Sequence, residues 1–465
     1  MEAACPQELI NWSRREAGIT ANPYLGYDIA LGVVLLYAII VYALYKTGHI
    51  GPDHALTLFG PAVMIKTKRG RSALDRWGRF RRFWTWVSDF GILLAAIAMV
   101  GILALLVLDA IVSTQLSASQ APSVEEALGI PGINPIIPIG YGIVALVVGI
   151  VLHELMHGVI ARSQKIGVKS LGILWCVVPV GAFVEQDDAD MEAAPRRKRD
   201  RVAAAGVLAN FALAVVFFVA LSGLVTLSVA PNANGVGIAY VQPGSPAANA
   251  TLTPGDILIS VNGTATTTAS TFEGALTNTT PGEVVTVVYY SSTSGHVVSQ
   301  QVTLAPSPTV KGRGFLGVEV GFLSPAQLKS TLVWPFSSPS GPFIGSVDWL
   351  VLPLATLEPI QGTTAGFFHL TGPFAGVNSN AFWIGANILY WLAWMNLLLG
   401  LSNALPLIPL DGGLLFRDFA ASIAARFRKG WSAAKLDEFG GRAATVSSLL
   451  VLLLLVFQFV VPRLH

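Results

Sequence analysis

His153, Glu154 and His157 sit in the stretch "IVLHELMHGVIARS" (150–163), at the end of a run from Ile136 to Val151 that holds no charge. Histidines four residues apart on a helix lie one turn apart on the same face, so both imidazoles can ligate one metal ion. Glu154, beside the first of them, is placed to take a proton from a metal-activated water. Two imidazoles and a carboxylate, with a fourth position open for water, favour zinc. The H-E-x-x-H spacing suits hydrolysis by a metal-bound water.

A third ligand is needed. The pattern in which a glycine and a third histidine follow three and six positions after the second is excluded, because Ile160 and Ser163 stand there. Glu185 is the nearest downstream glutamate, but it belongs with Asp187, Asp188 and Asp190 to an acidic string that also reads as a solvated turn. Asp411, in "NALPLIPLDGG" (403–413), is the only acidic residue between Glu358 and Asp418. An ionisable group closing such an apolar run is a functional candidate, although an Asp-Gly turn is the plainer account. The residues alone leave Glu185 and Asp411 both open.

The chain that must position these groups is 465 residues long, 53% apolar and 12% charged, which marks an integral membrane protein. The net charge of +2 gives no support to nucleic-acid binding. Cys5 and Cys176 lie too far apart in context to suggest a disulfide framework. Apolar runs near 28–47, 88–112, 136–160, 202–228, 381–409 and 443–462 predict six transmembrane helices. The Gly- and Pro-rich run 171–184 is too short to cross and predicts a re-entrant hairpin buried by protein; the Pro-broken segment 342–377 is expected to lie on or dip into the membrane. His369, His49, His54, His296 and His465 lack a paired ligand, and Cys176 reads as a small apolar filler of the hairpin.

The loop after the first span is rich in Lys and Arg from Lys66 to Arg82, whereas the loop 113–135 has neither. The positive-inside rule makes the former cytoplasmic, and "RRKRDR" (196–201) before span four continues the pattern. Both termini, including an N-terminal tail over 1–27, then face out, and the metal motif lies near the cytoplasmic boundary of a multi-pass protein of the cell membrane. Spans one and two (28–112), a first core section (136–228), an outer insert (235–322) and a second core section (381–415) precede the last span.

The insert reads as short strands, "ILISVNG" and "EVVTVVYY", divided by turn signals, and it contains sequons at Asn249, Asn262 and Asn278, with another at Asn11 in the tail. Its "VQPGSPAANATLTPGDILISVNG" resembles the core of a PDZ domain, and "GFLGV" (314–318) resembles the loop that holds a peptide's terminal carboxylate. The order would be circularly permuted, with that loop last. Such a domain would bind an extended peptide end by strand addition or filter what reaches the membrane.

HELMH on one span, N-x-x-P-x-x-x-x-D-G on a later one (Asn403 to Gly412) and a PDZ-like insert between them together resemble the site-2 protease family of intramembrane zinc metalloproteases. "AAAGVLANFALA" (203–214) resembles the family's G-x-x-x-N element through Gly206 and Asn210, departing from it at Val207 where Pro is frequent. "LTGPFAG" (370–376) is similar to a Gly-Pro element of family members. The resemblance implies zinc held by His153, His157 and Asp411, with Glu154 as general base and later proton donor. Asn403 and Asn210 match asparagines thought to contact the substrate, though an interhelical hydrogen bond would also explain Asn210.

The activity implied is cleavage of a transmembrane segment of another membrane protein near its cytoplasmic side, in regulated intramembrane proteolysis. Two other readings stand beside it: a membrane scaffold that binds peptides and keeps zinc as structure, and another membrane-embedded H-E-x-x-H peptidase that uses Glu185 in place of Asp411.

Overall fold

The structure, a computed structural model, describes residues 25–51, 54–127, 129–321, 323–337, 341–356 and 362–464. The tail expected over 1–27, with Cys5 and Asn11, lies almost wholly outside them, as does His465.

Helix α1 (Leu25–Lys46) leads into strands β1 (Leu56–Phe59) and β2 (Ala62–Thr67) and a short helix α2 (Arg71–Gly78). Two long apolar helices follow, α3 (Arg81–Ser113) and α4 (Ile139–Ser163), the latter entered through Pro138. Strands β3 (Val168–Cys176) and β4 (Val178–Gln186) precede helix α5 (Arg196–Ser228), which starts after Pro195. A proline just before a helix suits its start, because the proline's own N–H would have found no intrahelical partner there.

Strand β5 (Val229–Pro231) leads into the insert, which holds β6 (Val236–Val241), β7 (Ile257–Val261), helix α6 (Ala269–Thr277), β8 (Val284–Tyr290), β9 (Val297–Thr303) and β10 (Val318–Val320). Its strands form an antiparallel sheet in the order β9-β8-β7-β6-β10 around a core that includes Ile238, Leu258, Val287, Phe272 and Leu316. Helix α7 (Pro342–Thr356), strand β11 (Phe368–Leu370), helices α8 (Ser379–Asn403), α9 (Asp411–Phe427) and α10 (Ala433–Val460) complete the chain. Strand β11 pairs with β5, so the segments flanking the insert are laced together where α5 leaves and α8 approaches.

Five of the described helices, α3, α4, α5, α8 and α10, are long and apolar enough to cross a membrane, and among the described residues α1 contributes the apolar stretch Leu31–Lys46. Helix α5 packs against α3, α4, α8 and α9. Its run of small residues from Ala203 to Gly206 is buried and lets neighbouring backbones come close.

The structure corrects several expectations. Residues 171–184 form the expected hairpin, but as β-strands that join β1 and β2 in a four-stranded sheet, β1-β2-β3-β4, with Ile173 and Trp175 exposed on it and not buried by protein. The Val and Ile content there favours pleated backbone, and Gly172 is required because a Cβ would fall 2.3 Å from the Ile65 carbonyl oxygen of the neighbouring strand. The basic loop after α1 thus supplies half of a sheet. "RRKRDR" is the first turn and a half of α5 and not a preceding loop. Nor does Asp411 end the fifth span: α8 stops at Asn403, and Asp411 opens a separate helix. The segment 342–377 contains helix α7, a 3-10 turn over Gly362–Phe367 and strand β11. Pro359, one of the prolines that break it in sequence, lies outside the described residues.

Candidate metal centre

His153 and His157 project from α4 and are each 7% exposed. Their Nε2 atoms lie 3.2 Å apart, and Asp411 Oδ2 lies 3.4 Å from the first and 3.3 Å from the second. Three ligand atoms around a tetrahedral zinc with bonds of about 2.0–2.1 Å stand roughly 3.3–3.4 Å apart, the size of this triangle. Asp411 Oδ2 is buried and makes no hydrogen bond among the described residues. A buried carboxylate oxygen without a donor, facing two imidazole nitrogens at more than hydrogen-bond length, is what a metal site presents when its ligands are drawn without the ion. The donor set and its spacing fit zinc.

Asp411 reaches the site because the chain folds back on itself after α8. Leu410 precedes the helix in extended conformation and Asp411 is the first residue of α9, where the exposed N–H groups favour a negative charge. The two glycines that follow are sterically required. A Cβ at Gly412 would stand 2.3 Å from the Ala404 carbonyl oxygen, and one at Gly413 would stand 2.6 Å from the Leu407 carbonyl carbon. The D-G-G sequence therefore jams the start of α9 against the 404–408 segment. Gly206 plays the same part on α5, since a Cβ there would fall 2.2 Å from His153 Cε1 and 2.6 Å from His157 Nε2.

Each histidine is held by its other ring nitrogen. His157 Nδ1 lies 2.7 Å from the Val202 carbonyl oxygen, which can only accept, so Nδ1 carries the proton and Nε2 is free to ligate. His153 Nδ1 is 3.0 Å from the side-chain amide of Asn210, a residue with no exposed surface. Asn210 Oδ1 has no partner among the described residues. With the amide turned end for end, Oδ1 accepts the His153 Nδ1–H. Asn210 thus bonds a histidine of the neighbouring helix, the interhelical bond that the sequence also allowed.

Glu154 comes within 4.8 Å of both imidazoles, and its Oε2 accepts the backbone N–H of Val184 on β4 at 3.1 Å. Glu185, the alternative ligand, is engaged elsewhere: Ser170 Oγ donates to it at 2.5 Å and Lys66 Nζ lies 3.5 Å away. Asn403 donates to the Leu399 carbonyl of its own helix at 3.0 Å, in the last turn of α8 before the segment that leads to Asp411. His369 pairs with Asn232 and His49 with Thr47, both away from this site.

A cavity of about 210 Å³ opens beside Glu154, His157 and Asp411, and Asp200, Arg199 and Arg417 line it as well. The sequence pointed to none of these last three, because the Arg196–Arg201 run reads first as a marker of orientation. In the structure the run is a clamp. Arg196 bonds Asp437 of α10, Arg199 bonds Asp418 of α9 through two nitrogens, and Arg197 and Arg201 both bond Asp89 of α3.

The sequence profile described as peptidase family M50 matches residues 141–436, more than half of the chain. An uncharacterized protein of Methanocaldococcus jannaschii is 25% identical over 383 residues, covering 82% of this chain and 83% of its own length. A putative zinc metalloprotease of Nostoc sp. is 28% identical over 315 residues, 59% of this chain and 83% of its own. The membrane metalloprotease ARASP of the Arabidopsis thaliana chloroplast is 28% identical over 314 residues, 57% and 66% respectively. The matched region contains both histidines, Glu154 and Asp411, and the chain belongs to peptidase family M50, the site-2 protease family of membrane metalloproteases.

Proposed function

We propose that this protein is a zinc endopeptidase that cuts a peptide bond in or near a transmembrane segment of another membrane protein. The observation that carries the reading is the triangle of His153, His157 and Asp411, whose buried carboxylate oxygen has no other partner. These three residues would hold the zinc, which supplies a water of lowered proton affinity and polarises the scissile carbonyl.

The other residues have separable tasks. Glu154, aimed by the Val184 N–H, takes the proton of the attacking water and returns it to the leaving amine. Val202 and Asn210 fix the two imidazoles in the tautomer that presents Nε2. Asn403, next to the segment that delivers Asp411, offers an amide to the substrate backbone, which must shed its helical hydrogen bonds before it can be cut. The cavity behind Glu154 gives water access at membrane depth.

By the positive-inside rule α1 and the five longer helices form six spans, with the Arg196–Arg201 end of α5 and the metal site near the cytoplasmic face of the cell membrane. The outer insert is then a PDZ-like domain on the opposite side, which excludes large ectodomains or holds a peptide terminus exposed by an earlier cut, as in regulated intramembrane proteolysis. The peptidase reading through Glu185 is less well supported, because Ser170 and Lys66 already occupy that carboxylate.

Zinc per chain, measured by mass spectrometry on purified protein, tests the reading. About one zinc in wild type and in Glu185→Ala, and almost none in Asp411→Ala, is expected. Zinc retained in Asp411→Ala would overturn the ligand set. A reporter with one transmembrane segment, cut by wild type and spared by Glu154→Gln, tests the activity.

A further inference from the structure

Asp200 stands among four arginines and is bonded by none of them. Arg196 is taken by Asp437, Arg197 and Arg201 by Asp89, and Arg199 by Asp418. Arg417, on the opposite wall of the cavity, also donates to Asp418. Asp200 is only 8% exposed, and its Oδ1 is sealed from solvent without a hydrogen-bond partner among the described residues. A carboxylate withdrawn from water in this way is unfavourable unless a cation or a strong donor comes to it.

The place it occupies narrows what that donor is. Asp200 lines the same cavity as Glu154, His157 and Asp411. A second cavity of about 410 Å³ shares Met191, Arg199, Leu414 and Arg417 with the first and adds Asp188, Glu192 and Asp437. The two adjoin at these four residues and make a passage that leads away from the metal site along the end of α5 that carries the arginine run. Lys169 donates to Asp188, which holds that carboxyl below its ordinary range, and Asp437 is bound by Arg196. At the neck Arg199 and Arg417 are both engaged with Asp418, which leaves the Asp200 carboxylate in the passage without a bonded cation among the described residues.

We propose that Asp200 is a specificity subsite for a basic side chain, Lys or Arg, on the cytosolic flank of the substrate's transmembrane segment. The inference rests on the protease reading above. Transmembrane segments end in Lys and Arg at their cytosolic boundary as a general rule. A bond cut beside His153 and His157 therefore brings such residues into this passage. There the ammonium or guanidinium group donates to Asp200, forming a charge-assisted bond that discriminates against a neutral side chain.

The test uses the full chain, zinc-loaded in liposomes, with three reporters that share one transmembrane segment and differ only in a flank of Lys, Gln or Glu. Wild type is expected to cut the Lys reporter with kcat/KM at least roughly tenfold above the Gln reporter, as befits a bond to a charged group. Asp200→Asn is expected to bring the Lys-to-Gln ratio to about one, and Asp200→Lys to favour the Glu reporter. Zinc per chain and the unfolding midpoint establish that each variant is folded. Equal cutting of the Lys and Gln reporters by wild type overturns the subsite whatever the variants do. Asp200→Asn slowing both reporters by one factor also overturns it and assigns the residue to structure. A folded, zinc-loaded wild type that cuts none of the reporters overturns the protease reading, and the subsite with it.

Discussion

The backbone N–H of Val184 donates to Glu154 Oε2 at 3.1 Å, so the side chain assigned as base is aimed by a strand and not by its own helix. Strand β4 is the last of its sheet, with β3 on one side only. Its outer N–H groups are therefore available to something other than a strand, and the one at Val184 goes to the carboxylate.

Removing that N–H without removing the carboxylate isolates its effect. Val184→Pro, at an outward position of an edge strand where proline is tolerated, is expected to leave zinc per chain near one and to lower kcat. Glu154→Gln is expected to retain zinc as well and to lower cleavage by about 10²–10⁴-fold, the usual contribution of a positioned base. Zinc analysis beside reporter cleavage checks both, and wild-type cleavage in Glu154→Gln would remove Glu154 from the role.

Gly206 lies against the imidazoles with no room for a methyl group. Gly206→Ala is expected to push His153 and His157 out of the triangle and to lower zinc content at fixed free zinc, although Ala suits the helix better than Gly. A competition titration with a chelator of known affinity measures the change. Unaltered zinc affinity would mean that α5 can move away from α4 without harm.

Asn210 contacts His153, one of the proposed ligands. Asn210→Ala is expected to weaken zinc binding about 10–100-fold, the ordinary cost of losing a residue that orients a ligand. Asn403→Ala is expected to leave zinc binding unchanged and to raise KM. The opposite pattern would exchange the two assignments.

The Arg199–Asp418 pair is largely buried, with Asp418 almost wholly so. Arg199→Met leaves that carboxylate with only the Arg417 contact and is expected to destabilise the protein by about 3–5 kcal/mol, read from unfolding in mixed micelles. Adding Asp418→Leu is expected to recover most of the loss, because two apolar side chains need no partner.

Much of this site is legible before folding. The spacing of His153 and His157 fixes a shared helix face, and Asp411 is conspicuous in an otherwise uncharged run. The start of α9 is legible only in part: Gly412 and Gly413 signal a turn, but their need to clear Ala404 and Leu407 appears only once the chain has folded back. Val184 and Val202 are not legible at all, since they act through backbone atoms that every residue has. The arginine run carries two messages, and composition reveals the one about orientation. Its pairing with Asp89, Asp418 and Asp437 depends on helices that meet only in three dimensions.

His153 and His157 lie on α4, whereas Asp411 opens α9, far along the chain. During synthesis the histidines and the base enter the membrane long before the carboxylate exists. A chain interrupted after residue 157 but before residue 411 has the H-E-x-x-H motif but lacks the carboxylate proposed to complete the metal site. On the proposed ligand set, proteolytic competence is deferred to the closing stage of biogenesis, and a product that stops between the two elements is expected to be inert.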